Sequence, residues 1–135
     1  MSSDNVLAQS SDELASSKSV LPILIVDDDL AILELLRTVL QEEGFRVESA
    51  NNAGAAFFVL ERTPVGLIMT DYMMPGISGL DFADKLRRDP RTAAVPVILM
   101  SAFAPSDAKA RVAAVISKPF ALDELLDLVH QFWPQ

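Results

Sequence analysis

The chain has 135 residues, a length typical of one domain, and half of them are apolar, which is enough for a packed core. It contains no cysteine, which excludes disulfides and thiolate metal ligands. Its 11 basic and 19 acidic side chains give a net charge of −8, which argues against direct nucleic-acid binding. Neither a membrane-spanning apolar run nor a signal peptide is recognisable, so we expect a cytoplasmic protein without membrane contact.

Residues 1–19 are rich in serine and poor in large apolar side chains. A segment of this composition has little apolar surface to bury, which is typical of a flexible tail. Residues 20–135 are expected to form a single domain, because no internal repeat or second composition block interrupts them.

From Leu21 onward, short apolar runs alternate with segments of helical periodicity. Asn52 is a predicted helix cap, and Gly44 is a predicted terminating glycine. The segment between Ser101 and Lys118 leaves room for a fourth helix of only one or two turns, which Pro105 can start. In chain order we predict a strand at 23–26, a helix at 30–43, a strand at 45–49, a helix at 53–61, a strand at 66–70, a helix at 79–88, a strand at 96–100, the short fourth helix, a strand at 115–117 and a helix at 122–133.

Alternating strands and helices imply right-handed βαβ units and therefore a parallel sheet. Most of the strands are continuous apolar runs, as a sheet covered by helices on both faces requires. Five such strands in a domain of this size predict a flavodoxin-like doubly wound α/β fold with strand order 2-1-3-4-5.

Polar residues follow four of the predicted strands. Because the carboxyl ends of parallel strands meet at one edge of the sheet, these residues should line one crevice. The first and third strands, which carry the acids, are neighbours in the predicted order. The residues are Asp27, Asp28 and Asp29 after the first strand, Asp71 after the third, Ser101 after the fourth, and Lys118 and Pro119 after the fifth.

Carboxylates that share a crevice repel each other, by about 4 kcal/mol for two charges about 4 Å apart at an effective dielectric of about 20. A lysine and a hard divalent cation relieve this repulsion, and oxygen-only ligands favour Mg²⁺. The absence of histidine and cysteine near the acids argues against zinc.

Each of these residues also has an ordinary explanation when taken alone. Asp28 and Asp29 are suited to the N-terminus of a helix, and Asp71 is suited to a turn. Ser101 alone is typical of a loop hydroxyl, and Lys118 alone is typical of a surface lysine. It is their joint occurrence at four strand ends that favours a phosphoryl-binding site.

Four segments, ILIVDDDL, LIMTDYMMPGISGLDF, PVILMSA and SKPF, resemble the signature segments of response-regulator receiver domains of two-component systems. The resemblance extends from about Leu21 to Trp133 and is specific as a combination. It implies a signalling switch that takes a phosphoryl group from a sensor histidine kinase or a histidine phosphotransfer protein and then controls a downstream protein target. Homodimer formation is compatible with this function.

The resemblance implies a role for each residue of the crevice. Asp71 is the phosphoacceptor. Asp27, Asp28, Asp71 and the backbone carbonyl of Met73 hold Mg²⁺ or Mn²⁺. The domain is then not an enzyme acting on other substrates, but a switch that assists its own metal-dependent phosphorylation and dephosphorylation.

Two further residues are assigned by the same resemblance. Ser101 is the switch hydroxyl that moves to bond the phosphoryl group. Lys118 pairs with the carboxylate at rest and with the phosphoryl group afterwards, and its peptide bond to Pro119 is expected to be cis. Pro75 and Gly79 shape the loop after the acceptor.

The sequence departs from the family pattern in two places. Val115 stands where the family usually has the tyrosine, phenylalanine or histidine that moves with the switch hydroxyl. Phe103 is a candidate substitute, although a core or surface-anchored phenylalanine is the more ordinary interpretation. The short fourth helix should alter the face that normally contacts targets, so we expect a non-standard partner or dimer surface.

Two other functions remain as alternatives. One is a receiver-fold interaction module that works without phosphorylation, which the Val115 and fourth-helix departures favour and the intact acids oppose. The other is a Mg²⁺-dependent phosphatase with an aspartyl-phosphate intermediate. That chemistry requires a second acid two residues beyond the nucleophile, where this chain has Met73.

Overall fold

A computed structural model describes residues 21–133, so the predicted tail at residues 1–19 lies outside the described residues. Five strands and five helices alternate along the described chain. They are β1 (Ile23–Val26), α1 (Leu30–Glu42), β2 (Val47–Ala50), α2 (Ala53–Arg62), β3 (Leu67–Asp71), α3 (Gly79–Arg88), β4 (Val97–Ser101), α4 (Ala108–Arg111), β5 (Ala114–Ser117) and α5 (Leu122–Phe132). None of these helices is long and apolar enough to cross a membrane.

The five strands form one parallel sheet in the order β2-β1-β3-β4-β5, which confirms the predicted order. Val26 at the end of β1 is paired with Ala50 on one side and with Thr70 on the other. The residues that follow β1 and the last residue of β3 therefore lie side by side at the carboxyl edge. This register positions the candidate site.

Helices cover both faces of the sheet, as the apolar strands predict. On one face, α1 and α5 pack on β1, β3, β4 and β5 through buried residues that include Leu36, Leu40 and Leu125. On the other face, α2 and α3 pack on the strands through residues such as Ala56 and Phe82. Every residue of β1 is fully buried, because side chains pointing in both directions meet a helix layer.

Short polar side chains begin three of the helices. Asp29 caps α1 by accepting hydrogen bonds from the backbone N–H groups of Ala31 and Ile32. Asn52 and Ser78 cap α2 and α3 in the same way. Gly44, with a φ of 95°, follows α1 as predicted, because glycine adopts this left-handed conformation without steric cost.

Some predicted boundaries were wrong by one or two residues. The second strand begins at Val47 rather than at residue 45, because Phe45 instead packs on the α1 and α5 core. Strands β3 and β4 extend one residue further than predicted. Asp71 and Ser101 are therefore the last residues of their strands rather than the first loop residues.

The fourth helix has only four residues, which confirms the predicted shortening. It begins at Ala108 rather than at Pro105, and Asp107 precedes it without a side-chain cap bond. Ala108 is its one buried residue and packs with Leu80 and Leu99.

Gly79, the first residue of α3, lies directly against the end of β3. Its N–H donates to the carbonyl of Tyr72 at 2.8 Å. A Cβ at this position would overlap the carbonyl oxygen of Asp71 and would lie 2.8 Å from Cδ1 of Leu99. The position therefore requires glycine because of close backbone approach.

We predict that Gly79→Ala lowers the free energy of unfolding by about 1–3 kcal/mol, the usual cost of overpacking. Urea unfolding followed by circular dichroism measures this loss. Gly54→Ala is the matched control, because a Cβ there meets only the side-chain oxygen of Asn52 at 3.3 Å. Equal unfolding free energies for Gly79→Ala and the wild type would contradict the steric argument.

Candidate functional site

Three carboxylates meet at the carboxyl edge of the sheet. Asp27 and Asp28 follow β1, and Asp71 ends the neighbouring strand β3. One oxygen of each carboxylate lies within 4.8 Å of the others. Asp27 is fully buried and Asp71 is 7% exposed, whereas Asp28 is exposed. The structure therefore brings the three predicted acids together in one half-buried pocket.

Lys118 reaches this pocket from the loop after β5. Its Nζ lies 2.7 Å from Oδ2 of Asp27 and 3.2 Å from Oδ1 of Asp71. Its backbone N–H donates to the carbonyl of Ser101 at 2.9 Å, which fixes the end of β5 beside β4. The bond from Lys118 to Pro119 is cis, as the resemblance implied. Lys118 thus bridges two acids and is bonded more closely to Asp27 than to the predicted acceptor.

The electrostatics of the pocket shift two pKa values. Burial raises the pKa of Asp71, and the nearby charge of Asp27 raises it further, against the opposing effect of Lys118. Burial alone would lower the pKa of Lys118, but its hydrogen bonds and charge interactions with Asp27 and Asp71 outweigh burial and raise it. Lys118 is therefore held as an ammonium group, and Asp71 is a carboxyl that is costly to ionise.

The donor set of the pocket fits a hard divalent cation. Three carboxylates face a single ammonium group, which leaves an excess of negative charge in a partly buried volume. Such an excess is relieved by a cation that prefers oxygen ligands, as Mg²⁺ does. Met73, the remaining predicted ligand, lies two residues after Asp71 in the loop to α3, and its side chain is 70% exposed.

Asp29 has a structural role that differs from that of its neighbours. Its N–H donates to Oδ1 of Asp27 at 2.9 Å, and its own carboxylate caps α1. The interpretation of Asp28 and Asp29 as helix N-terminal acids is thus correct for Asp29. Asp28 instead contributes its carboxylate to the acidic pocket.

Ser101 is buried at the end of β4, next to the site. In the register of the sheet Asp71 is paired with Met100, so Ser101 lies one residue beyond the neighbour of Asp71. Its Oγ accepts a hydrogen bond from the N–H of Phe103 at 3.0 Å. The hydroxyl therefore holds the loop after β4 in this conformation. The ring of Phe103 is 87% exposed, so it is not a core residue.

Tyr72, which directly follows Asp71, was missed by the sequence reasoning. Its side chain is partly buried in a small cluster with Leu80, Leu99 and Ala108, and Val115 belongs to the same cluster. The available signal was an aromatic residue beside an acid at a strand end. Val115 and Tyr72 therefore pack against the same three buried residues.

The fold and the pocket together define a doubly wound α/β domain with a buried acid, two further acids and a lysine at the carboxyl edge of its sheet. Residues 23–130 match the family model described as the response regulator receiver domain. The chain therefore belongs to the response-regulator receiver family, which serves two-component phosphorelay signalling. A domain of this class is a phosphoacceptor switch.

Relatives and solved structures agree with this assignment. The phosphate regulon transcriptional regulatory protein PhoB of Pseudomonas aeruginosa is 36% identical over 109 residues, which cover 77% of this chain and 48% of that protein. Response regulator Rre1 of Synechocystis sp. is 33% identical over 114 residues, which cover 80% of this chain and 49% of that protein. The chain thus spans about half the length of these relatives.

A solved receiver structure shares both fold and sequence. Response regulator TrrA of Thermotoga maritima, crystallised in complex with Mg(2+)-BeF, superposes with a TM-score of 0.75 at 34% identity. The match covers 83% of this chain and 98% of that chain. Divalent metal binding is therefore a property found within the family.

The raised pKa of Asp71 predicts that this residue destabilises the fold at neutral pH. A carboxyl with a higher pKa in the folded than in the unfolded chain supports folding below its unfolded pKa, and that support is lost as the pH rises through the folded pKa. Asp71→Asn should therefore raise the melting temperature at pH 7 in the presence of EDTA. The gain should vanish below about pH 4, where the aspartate is protonated in both states.

Thermal unfolding by circular dichroism between pH 3 and pH 8 measures this difference. Asp89→Asn is the control, because hydrogen bonds from Arg91 lower the pKa of Asp89 and the residue lies on the surface. Its removal should leave the melting temperature at pH 7 unchanged or slightly lower. A melting temperature of Asp71→Asn at or below the wild-type value at pH 7 would show that burial does not penalise the Asp71 carboxylate.

Proposed function

We propose that Asp71 is the residue that accepts the phosphoryl group, and that a sensor histidine kinase or a histidine phosphotransfer protein supplies it. The observation that carries the proposal is the pocket itself: a buried carboxylate with an ammonium group 3.2 Å away and two further acids beside it. This combination supplies a nucleophile, a positive charge for the phosphoryl oxygens and ligands for a cation. The family membership supports the same role.

The transfer is a displacement at phosphorus. A carboxylate oxygen of Asp71 attacks the phosphorus of a phosphohistidine, and the new O–P bond forms as the P–N bond breaks. The electron pair of that bond goes to the imidazole nitrogen, which leaves as neutral imidazole because its other nitrogen carries a proton. Catalysis in such reactions is mostly positioning and charge stabilisation. The ammonium group of Lys118 stabilises the ionised Asp71 and the charge on the transferring oxygens.

The proposed cation is Mg²⁺ or Mn²⁺, held by the carboxylates of Asp27, Asp28 and Asp71 and by the backbone carbonyl of Met73. When bound, such an ion supplies positive charge to the phosphoryl oxygens. The three carboxylate oxygens within 4.8 Å of one another support this ligand set. The Mg(2+)-BeF complex of TrrA supports the same choice of metal.

The proposed response to phosphorylation is a movement of Ser101. Its hydroxyl exchanges the N–H of Phe103 for an oxygen of the phosphoryl group, and the loop after β4 follows. Phosphorylation thereby shifts the population towards a second conformation that the protein already samples. A downstream protein target binds this second conformation. Direct nucleic-acid binding is not part of the proposal, given the net charge of −8.

Incubation of the chain with Mg²⁺ and acetyl phosphate tests the proposal. Intact mass spectrometry should show the gain of one phosphoryl group. A carboxylate oxygen of Asp71 attacks the phosphorus, the bond from phosphorus to the acetate oxygen breaks, and acetate leaves. The gain should disappear in Asp71→Asn and in the presence of EDTA, and it should fall at least about tenfold in Lys118→Ala, as expected when a charge that stabilises the transition state is removed.

Asp89→Asn serves as the matched acid-to-amide control, because Asp89 lies on the surface away from the pocket. This substitution should leave labelling unchanged. If the wild-type chain gains no phosphoryl group, the phosphorelay proposal fails. The phosphorylation-independent interaction module, which Val115 and the one-turn α4 favour, is then the function to retain.

We also predict a slowly hydrolysing phosphoaspartate. Met73 and Phe103 occupy the two positions that, by resemblance to the family, influence water access to the phosphoryl group. Both are apolar, 70% and 87% exposed, and neither can orient an attacking water. Met73→Asn and Phe103→Glu should each shorten the lifetime of the phosphorylated chain by about threefold or more, on the scale of one hydrogen bond.

The lifetime is measured by following the phosphorylated mass after acetyl phosphate is removed. Leu35→Asn is a control for the loss of an exposed apolar side chain, because Leu35 lies on α1 and is 44% exposed. An unchanged lifetime in both Met73→Asn and Phe103→Glu would count against the proposed effect on water access.

A further inference from the structure

A second ionic cluster, separate from the acidic pocket, joins α4 to α3. Its centre is Arg111, the last residue of α4, whose Nη2 lies 2.6 Å from Oδ2 of Asp84 and 3.3 Å from Oδ1 of Asp81. Its Nη1 lies 3.2 Å from Oδ2 of Asp107. Arg87 adds a bond to Asp84 at 2.6 Å and donates to the carbonyl of Arg111 at 2.5 Å. We call these five residues the α3–α4 cluster.

The α3–α4 cluster is better shielded than an ordinary surface ion pair. The side chains of Arg111 and Asp84 are 26% and 20% exposed, whereas those of Arg91 and Asp89 are 64% and 36% exposed. The hydrogen bond from Arg111 lowers the pKa of Asp84, so the acid is fully ionised at neutral pH. Partly buried, multiply bonded pairs of this kind hold a geometry that an isolated exposed pair does not.

Helix α4 depends on this cluster for its position. A helix of four residues closes about one turn, and a single turn is not stable by itself in water. It has no side-chain cap bond, and only Ala108 is buried. Besides the packing of Ala108, α4 is bound to α3 by Arg111, which pairs with two acids one turn apart, and by Arg87, which donates to the carbonyl of Arg111.

The loop between Ser101 and α4 is fixed at both of its ends. At one end, the hydroxyl of Ser101 accepts from the N–H of Phe103. At the other end, α4 is held by Arg111, and between them Ala104 packs in the cluster that also contains Tyr72 and Val115. A rotation of the Ser101 hydroxyl towards a phosphoryl group would break its bond to the N–H of Phe103 and release this end of the loop, while Arg111 still holds the other end through α4.

We propose that the α3–α4 cluster is a latch that holds α4 and the preceding loop in the resting conformation and so restrains phosphorylation of Asp71. This inference rests on the proposed function. A contact made in only one of two conformations shifts the equilibrium between them by its own strength. Weakening the latch therefore raises the population of the conformation that phosphorylation selects, and in this proposal the labelling rate rises in proportion to that population.

The test compares the acetyl phosphate labelling rates of variants of the 135-residue chain in Mg²⁺. Arg111→Gln removes the charge and keeps most of the side-chain length, and its rate should rise about threefold to tenfold, within the range usual for residues that couple two sites. Arg111→Lys keeps the charge but not the paired N–H groups and should give an intermediate rate. Arg91→Gln is the matched control, because Arg91 pairs with Asp89 and does not contact α4.

Two further measurements separate a latch from a merely structural residue. Asp84→Asn should also raise the rate, and the rate increase of the double variant Asp84→Asn/Arg111→Gln should be smaller than the product of the two single increases, because both changes remove the Arg111–Asp84 pair. Added KCl screens the ion pairs of the wild-type cluster. The labelling rate of the wild type should therefore rise towards that of Arg111→Gln as the salt concentration increases.

The outcomes are distinct. If the wild type is labelled at Asp71 and Arg111→Gln is labelled at the wild-type rate or more slowly, the latch is overturned and the proposed function stands. If the wild type takes no phosphoryl group, both proposals fail. A faster Arg111→Gln, with Arg91→Gln at the wild-type rate, supports the latch even if the variant melts at a lower temperature.

Discussion

The pairing of Lys118 with Asp27 and Asp71 is the interaction on which the site depends. It joins residues from the ends of three strands, and it makes tolerable a pocket in which one acid is fully buried and another is nearly so. The compensation is incomplete, because burial and Asp27 still raise the pKa of Asp71. That residual excess of negative charge is what a bound divalent cation would neutralise.

The sheet order makes this pairing possible. Strand β1 lies between β2 and β3, so the acids after β1 meet the acid that ends β3. Gly79 lets α3 approach the end of β3 without displacing Asp71, and Asp29 both caps α1 and donates to Asp27. Asp27 and Asp71 thus lie at the ends of two strands whose residues are all buried. The groups that would respond to phosphorylation, Ser101 and the loop after it, are connected to a helix of one turn.

One departure from the expected family pattern lies in the small cluster around Leu80, Leu99 and Ala108. Val115 lacks the ring that the pattern provides, and Tyr72, from the loop after β3, contributes a ring to the same cluster. The short α4 is attached to α3 by the side chains of Arg111 and Arg87 and by the packing of Ala108 on Leu80. A partner that recognises this face would therefore contact a surface defined more by charged groups of α3 and α4 than by a long helix. This arrangement is consistent with the expectation of a non-standard partner surface, which stays a prediction.

The sequence by itself determined the sheet and its order, the helix layers, the short α4, and the identity of the three acids and the lysine. Apolar runs, helix caps and polar residues after strands are local features of a sequence. The residues at strand ends then come together because the strands are parallel. It placed the second strand two residues early and Asp71 outside its strand, since hydrogen-bond partners decide where a strand ends. Only the tertiary structure decided that Lys118 is bonded more closely to Asp27 and that Ser101 is bonded to Phe103. It also decided that Tyr72 and Val115 pack against the same buried cluster and that Arg111 binds α4 to α3. Most of these contacts join residues that are far apart in the chain, and the bond between Ser101 and Phe103 depends on the conformation of a loop. No local sequence pattern encodes the distances between such atoms.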